Sequence, residues 1–307
     1  MTIVGFLGFG EVACCFAGGM DHPADGALLA YDRVVEVGDA SAAREAAATL
    51  GVQLLDSPRG LAEAELVLSV VTPAAAEAAA KSYAPHAPQG QIYVDLNSTA
   101  PKVKVAVAAA LAPRGVRVVD GVMTGGGISL DGHRIPISLA GPDAQRVADQ
   151  FTTLGLVAGV VGAELGQAAA MKMLRGVVIK GLEALSVEAF VAAQAYGIEE
   201  MVLASIGESL DRWSTADFLQ MLVRTHTEHC ARRAVEVRMI KETVSSTGLE
   251  PLMAAAAQRL FERSAVAGLR ADGAPPVDFH GSLRILGRAV LASGRGSSDN
   301  HADEPRA

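Results

Sequence analysis

Along residues 1–162 short apolar runs alternate with longer segments of mixed polarity. Strand-like runs stand at residues 2–7, 26–31, 52–55, 66–71, 92–95, 116–120, 135–140 and 156–161, and helical segments separate most of them. Such alternation predicts the α/β class, a mostly parallel sheet with helices on both faces that receives ligands at the carboxyl ends of its strands. Beyond Gly162 the pattern changes. Residues 164–196 are Ala-rich and nearly free of breakers, which predicts one long helix running from one domain into another. Further helical stretches are expected near residues 214–246, 250–269 and 276–293, with no additional strand. The expected organisation is a Rossmann-type mostly parallel domain over residues 1–162, a connecting helix over 163–196 and an all-α domain over 197–294. A polar, disordered tail is expected over 295–307.

Composition narrows the functional classes. Half of the 307 residues are hydrophobic and only 4% are aromatic, so the cores should be built from Ala, Val and Leu. A net charge of −8 without a basic run argues against nucleic acid, since phosphate binding needs clustered Lys and Arg. Cys14 and Cys15 fall in the first helix and Cys230 lies far away; an odd count without Cys-x-x-Cys spacing fits a reducing compartment and suggests no metal site. The amino terminus reads as a core strand and not as a secretion signal, and no apolar run suits a membrane span, so a cytoplasmic protein acting on a small molecule is expected.

The first strand runs into Gly8-Phe9-Gly10-Glu11-Val12-Ala13, a Gly-x-Gly-x-x-Ala turn. Gly8 permits the tight turn, Gly10 lets the backbone approach a pyrophosphate, and Ala13 is small enough for the new helix to pack on the sheet. The second strand ends in Asp32, where a carboxylate accepts hydrogen bonds from an adenosine ribose. Together these features predict an NAD(P) site; the alternative is an ordinary glycine turn beside a surface Asp. Asp32 repels a 2′-phosphate while the adjacent Arg33 could clamp one, and the balance leans to NAD. Three polar or glycine-bearing loops follow strands four to six: Val71-Thr72-Pro73, Asn97-Ser98-Thr99-Ala100-Pro101 and Met123-Thr124-Gly125-Gly126-Gly127. In isolation the second reads as a helix cap and the third as a flexible turn.

Lys172 stands in the apolar segment Ala168-Ala169-Ala170-Met171-Lys172-Met173-Leu174. A desolvated lysine loses proton affinity and becomes usable as an acid or base, whereas a snorkelling one carries its ammonium to water. The whole chain resembles the β-hydroxyacid dehydrogenase superfamily that also contains the 6-phosphogluconate dehydrogenases. The resemblance rests on the glycine turn, on Asp95-Leu96-Asn97-Ser98-Thr99-Ala100-Pro101, on Asp120-Gly121-Val122-Met123-Thr124-Gly125-Gly126, and on Lys172 at the position of the family's catalytic lysine. It implies that Thr124, Gly125 and Gly126 hold a substrate carboxylate or hydroxyl. Asn97, Ser98 and Thr99 would lie between substrate and nicotinamide, with Val71 and Thr72 joining Thr99 in the cofactor set, and a homodimer is implied as well.

One departure stands out: Gly176 occupies the place, one helical turn after the lysine, where most members carry an Asn. The wording around Lys172 and Lys180-Gly181-Leu182-Glu183-Ala184-Leu185 resembles a less characterised branch with its own helical carboxy-terminal domain. Arg175 offers a cation for a second anionic group, or a surface ion pair. His226, His229, Arg232 and Arg233 fall along one predicted helix as a substrate-closing face or, as favoured here, a solvated or oligomer-facing stripe. His280 shows no discernible partner. The leading expectation is an NAD(P)-dependent oxidoreductase acting on a small hydroxy acid or related carbonyl compound, with decarboxylation where a β-keto acid forms. The alternatives are an imine reductase, which commonly carries another residue at the lysine position, and a dinucleotide-binding sensor or scaffold without turnover.

Overall fold

The computed structural model describes residues 3–21, 26–125, 127–269 and 277–294. It divides into two compact units, Met1–Val178 and Ile179–Ala307. The division falls inside the long helix expected over 163–196.

The first unit is built on an eight-stranded sheet of order β3-β2-β1-β4-β5-β6-β7-β8. Its elements in chain order are β1 (Ile3–Leu7), α1 (Glu11–Gly19), β2 (Ala27–Tyr31), α2 (Val34–Val37), α3 (Ser41–Leu50), β3 (Gln53–Leu54), β4 (Leu66–Ser69) and α4 (Ala76–Tyr83). These are followed by β5 (Ile92–Asp95), α5 (Pro101–Leu111), β6 (Arg117–Met123), α6 (Ile128–Asp131), β7 (Ile137–Ala140), α7 (Ala144–Thr153) and β8 (Ala158–Gly162). All neighbouring strands pair in parallel except β6 and β7. The eight runs read from the sequence all carry a strand, and the sheet has the expected mostly parallel character.

Both faces are covered, which explains why the strands are near-continuous apolar runs. Phe6, Leu66, Leu68 and Val94 join Phe16 of α1 and Phe151 of α7 in one core. Leu7, Val67 and Tyr93, from alternate strand positions, join Tyr83 of α4 and Leu111 of α5 in the other. Ala13, third small residue of the glycine turn, is fully buried against the first core.

Next comes α8 (Gln167–Tyr196), which crosses from the first unit into the second. The second unit continues with α9 (Glu199–Leu210), α10 (Thr215–Ser246), α11 (Leu252–Val266) and α12 (Phe279–Gly294). Ser214 caps α10 by accepting from the Asp217 N–H at 3.1 Å. Helix α9 occupies a stretch to which the sequence reading assigned no element. The tail expected over 295–307 lies outside the described residues, as does the expected helix start at Pro276.

Candidate active site

Register levels the strand ends. Tyr31 pairs with Leu7, Leu7 with Ser69, Ser69 with Asp95 and Asp95 with Asp120, so β2, β1, β4, β5 and β6 reach one edge together. The residues after this row include Asp32, Gly8, Val71 and Asn97. Strand β6 continues past it to Met123 because its last four residues pair with antiparallel β7, which carries Thr124 farther out than the other loop residues.

The dinucleotide candidates gather in one place. Gly8, Gly10, Asp32, Arg33, Val71 and Thr72 line a cleft of about 580 Å³. Gly8 sits at φ +98°, and a Cβ on it would lie 2.8 Å from the Val70 carbonyl oxygen, so the strand-to-helix turn demands glycine. A Cβ on Gly10 would meet nothing within 4 Å. Gly10 is also the N-cap of α1 and offers no side chain to its first turn, leaving N–H groups for an anion. This open face fits a pyrophosphate. Asp32 accepts hydrogen bonds from the Phe9 N–H at 2.8 Å and the Val34 N–H at 2.9 Å, which ties the glycine turn to the end of β2. Glu11 and Arg33 are exposed, and Val12 packs against the core.

Below the loops lies a buried polar cluster that the sequence reading missed. Lys104 of α5 is 1% exposed, and its Nζ donates to the carbonyl oxygens of Asp95 at 2.7 Å and Gly121 at 3.1 Å. The carboxylates of Asp95 and Asp120 stand 3.2 and 3.4 Å from the same nitrogen. The available signal was the pair of Asp residues ending two apolar strands, since buried carboxylates need a cation or N–H donors. Asn97 belongs to this cluster. Its Nδ2 donates to Asp95 Oδ1 at 2.6 Å and Ser69 Oγ at 3.0 Å, while its buried Oδ1 has no hydrogen-bond partner among the described residues. Thr99 is also buried, and its hydroxyl has no hydrogen-bond partner among the described residues.

Lys172 reaches the same edge from α8. Ala168 and Ala169 are fully buried against Val122 and Ala140, which seats the start of α8 on β6 and β7. Asp120 Oδ2 accepts the Ala169 N–H at 3.0 Å, satisfying a donor in the helix's first turn. Lys172, three and four residues on, is on that side of the helix, and its Nζ donates to Ser98 Oγ at 2.6 Å. Burial first, then the charges of Lys104 and Arg175, holds the Lys172 ammonium below the ordinary lysine range. Arg175 itself is exposed.

The third loop is placed differently. Thr124 donates its N–H at 2.8 Å and its hydroxyl at 3.1 Å to the Pro136 carbonyl. Gly125 packs so closely on Asp131, Ile135 and Pro136 that a Cβ would come within 2.9 Å of Pro136 Cδ. Gly126 lies outside the described residues. In the second unit the residues of the expected charged stripe differ in exposure. His226 turns to Ser264 Oγ at 2.9 Å and edge-on to Phe261, and burial followed by the Arg233 charge lowers its proton affinity. His229 and Arg232 instead are exposed, the latter paired with Glu236. His280 lies edge-on to Phe279, with ring centroids 5.5 Å apart.

Residues 193–264 match a family described as a domain of unknown function, DUF1932. A conserved hypothetical protein from Sinorhizobium meliloti 1021 is 35% identical, with 94% of this chain and 97% of that one covered and a TM-score of 0.63. The conserved protein MTH1747, of unknown function and described as structurally similar to 3-hydroxyacid dehydrogenases, is 28% identical over 85% of this chain and 96% of its own, with a TM-score of 0.60. Imine reductases share the fold. One from Aspergillus terreus, in complex with NADPH4 and dibenz[c,e]azepine, is 15% identical with 87% and 95% covered and a TM-score of 0.71. A variant from Myxococcus stipitatus, in complex with NAD+, is 14% identical with 93% and 99% covered and a TM-score of 0.72.

Proposed function

We infer that the chain belongs to the 3-hydroxyacid dehydrogenase-like superfamily, with residues 193–264 of its helical region matching DUF1932. From that premise we propose an NAD(P)-dependent oxidoreductase moving a hydride between nicotinamide and a small hydroxy acid or related carbonyl compound. The observation that carries this reading is the contact of Lys172 with Ser98, 2.6 Å between a lysine of lowered proton affinity and a hydroxyl on the loop after β5.

When bound, the nicotinamide ring supplies the hydride acceptor or donor. Gly10 and the first turn of α1 receive the pyrophosphate. Asp32 has lone pairs left for a ribose hydroxyl beyond its two backbone bonds. Glu36 also lines the cleft, so two carboxylates flank Arg33, a balance that favours NAD over a 2′-phosphate. Neutral Lys172 takes the hydroxyl proton during oxidation, and its ammonium returns that proton to the oxygen during reduction. Ser98 fixes the amine at the substrate edge. Arg175 is the cation for a substrate carboxylate, and Thr124 and Gly125 border the substrate from the end of β6. The working protein is a homodimer.

Turnover of a panel of 3-hydroxy acids with NAD+ and NADP+, beside reduction of cyclic imines, tests the proposal on wild type and Lys172→Met. Hydroxy-acid turnover is expected, reduced about 10²–10⁴-fold in the variant while dinucleotide affinity is retained. Imine turnover alone would replace the substrate class. Dinucleotide binding without turnover of either panel would favour the sensor reading.

A further inference from the structure

Lys104 belongs to none of the sequence motifs, yet it sits where three candidate active-site segments meet. Its Nζ is bonded to the main chain at Asp95 and Gly121, the ends of two adjacent strands, and faces the carboxylates of Asp95 and Asp120. Asp95 Oδ1 also accepts the Asn97 N–H at 2.9 Å, next to Ser98. Asp120 Oδ2 accepts the Ala169 N–H, three residues before Lys172. One fully buried ammonium thus joins the base of the Ser98 loop, the strand leading to Thr124 and the helix bearing Lys172.

We propose that Lys104 is a positioning residue for Lys172: it pins the ends of β5 and β6 and, through Asp120, the first turn of α8, so that the Lys172 amine is held against Ser98. The inference rests on Lys172 being the acid–base group. A neutral cross-link of the same shape would hold the elements but would lack the second effect of this residue, which is charge. Lys172 is faced by Ser98 from the loop after β5; the charges of Lys104 on α5 and Arg175 on its own helix act on it, and Asp95 of β5 and Asp120 of β6 stand beside the Lys104 nitrogen. Among these charges Lys104 does most to weaken proton binding at Lys172.

Competitive acylation of the full chain with acetic anhydride across pH, with the Lys172 peptide quantified by mass spectrometry, reads the Lys172 titration without any substrate. Lys104→Met is expected to raise its midpoint, and Lys104→Arg to leave it near the wild-type value. Asp120→Asn, which keeps an acceptor for the Ala169 N–H but removes an anion that offsets Lys104, is expected to lower it. Loosening of the helix alone would move Lys104→Met and Asp120→Asn the same way, toward the ordinary lysine value. An unchanged midpoint in Lys104→Met, or a midpoint in Asp120→Asn that rises or stays put, overturns the proposal; the second arm decides if Lys104→Met does not fold. Turnover by Lys172→Met tests the acid–base reading separately, so the two can fail independently.

Discussion

Gly8 and Gly10, neighbours in one turn, answer to different demands. The folded chain itself excludes a side chain at Gly8, by its φ of +98° and by the Val70 carbonyl. Nothing in the chain excludes one at Gly10. Gly8→Ala is therefore expected to cost about 2–4 kcal/mol of stability. Gly10→Val should melt like wild type yet lose at least about tenfold in dinucleotide affinity, because its side chain fills the space a pyrophosphate needs. Thermal melts beside a dinucleotide titration separate the two, and undiminished binding by Gly10→Val would remove the cleft from the cofactor site. Lys172 carries a stability signature as well. Its proton affinity is lowered on folding, so the unfolded chain binds more protons between the lowered value and the ordinary one. Stability consequently rises with pH through that window, the reverse of a lysine that gains an ion-pair partner. Lys172→Met should be no less stable than wild type near neutral pH and should show a flatter melting temperature against alkaline pH, a stability cost borne for function.

At the scale of elements, capping across sequence distance holds the second unit together. Helix α11 follows Pro251 with no side-chain cap of its own. Both oxygens of Glu188, on α8, accept instead from its Met253 and Ala254 N–H groups at 2.7 and 2.8 Å. Glu188→Ala should cost about 1–2 kcal/mol, read as a lower urea midpoint at unchanged slope. No local pattern reveals such a cap, since its donors and acceptor lie 65 residues apart. What the sequence does display is what local physics determines. Apolar runs with turn residues between them place every strand of the sheet, and the glycine turn with Asp32 locates the cleft. Helix α9 was not legible because Gly197 opens it and Gly207 interrupts it, and its polar and apolar residues form no sharp stripe. Lys104 was hidden for another reason. In Pro101-Lys102-Val103-Lys104-Val105 both lysines read alike, yet Lys102 is exposed and Lys104 buried. Only the register of Asp95 beside Asp120 selects the one that turns inward. Asp95 also draws in Asn97, whose place beside the substrate is implied by the family resemblance and not by the loop sequence, which in isolation reads as a helix cap.

At the scale of the molecule, the second unit has a core too small for its helices. Among its described residues the buried hydrophobics are Ala192, Ala193, Cys230, Ala234, Val237, Val244 and Ala254, with no Leu, Ile, Phe or Met. The large apolar side chains lie outside: Val187 is 62% exposed, Met201 71%, Met239 55% and Leu252 62%. A monomer rarely leaves so many large apolar side chains to water, and a helical unit of this length needs larger buried side chains to offset its ordering entropy. The proposed homodimer would supply them from a second copy of the chain by the same surface, as an isologous interface requires. An interface of obligate size, on the order of 2,000 Å² or more, would convert these side chains into a shared core. Sedimentation equilibrium is expected to give twice the chain mass at micromolar concentration, and the melting temperature should rise with protein concentration, because unfolding then includes dissociation. Charges placed in the surface by Met201→Glu with Leu203→Glu should dissociate the dimer and lower its melting temperature. A stable monomeric wild type whose melting temperature ignores concentration would mean that something other than a second copy covers these helices.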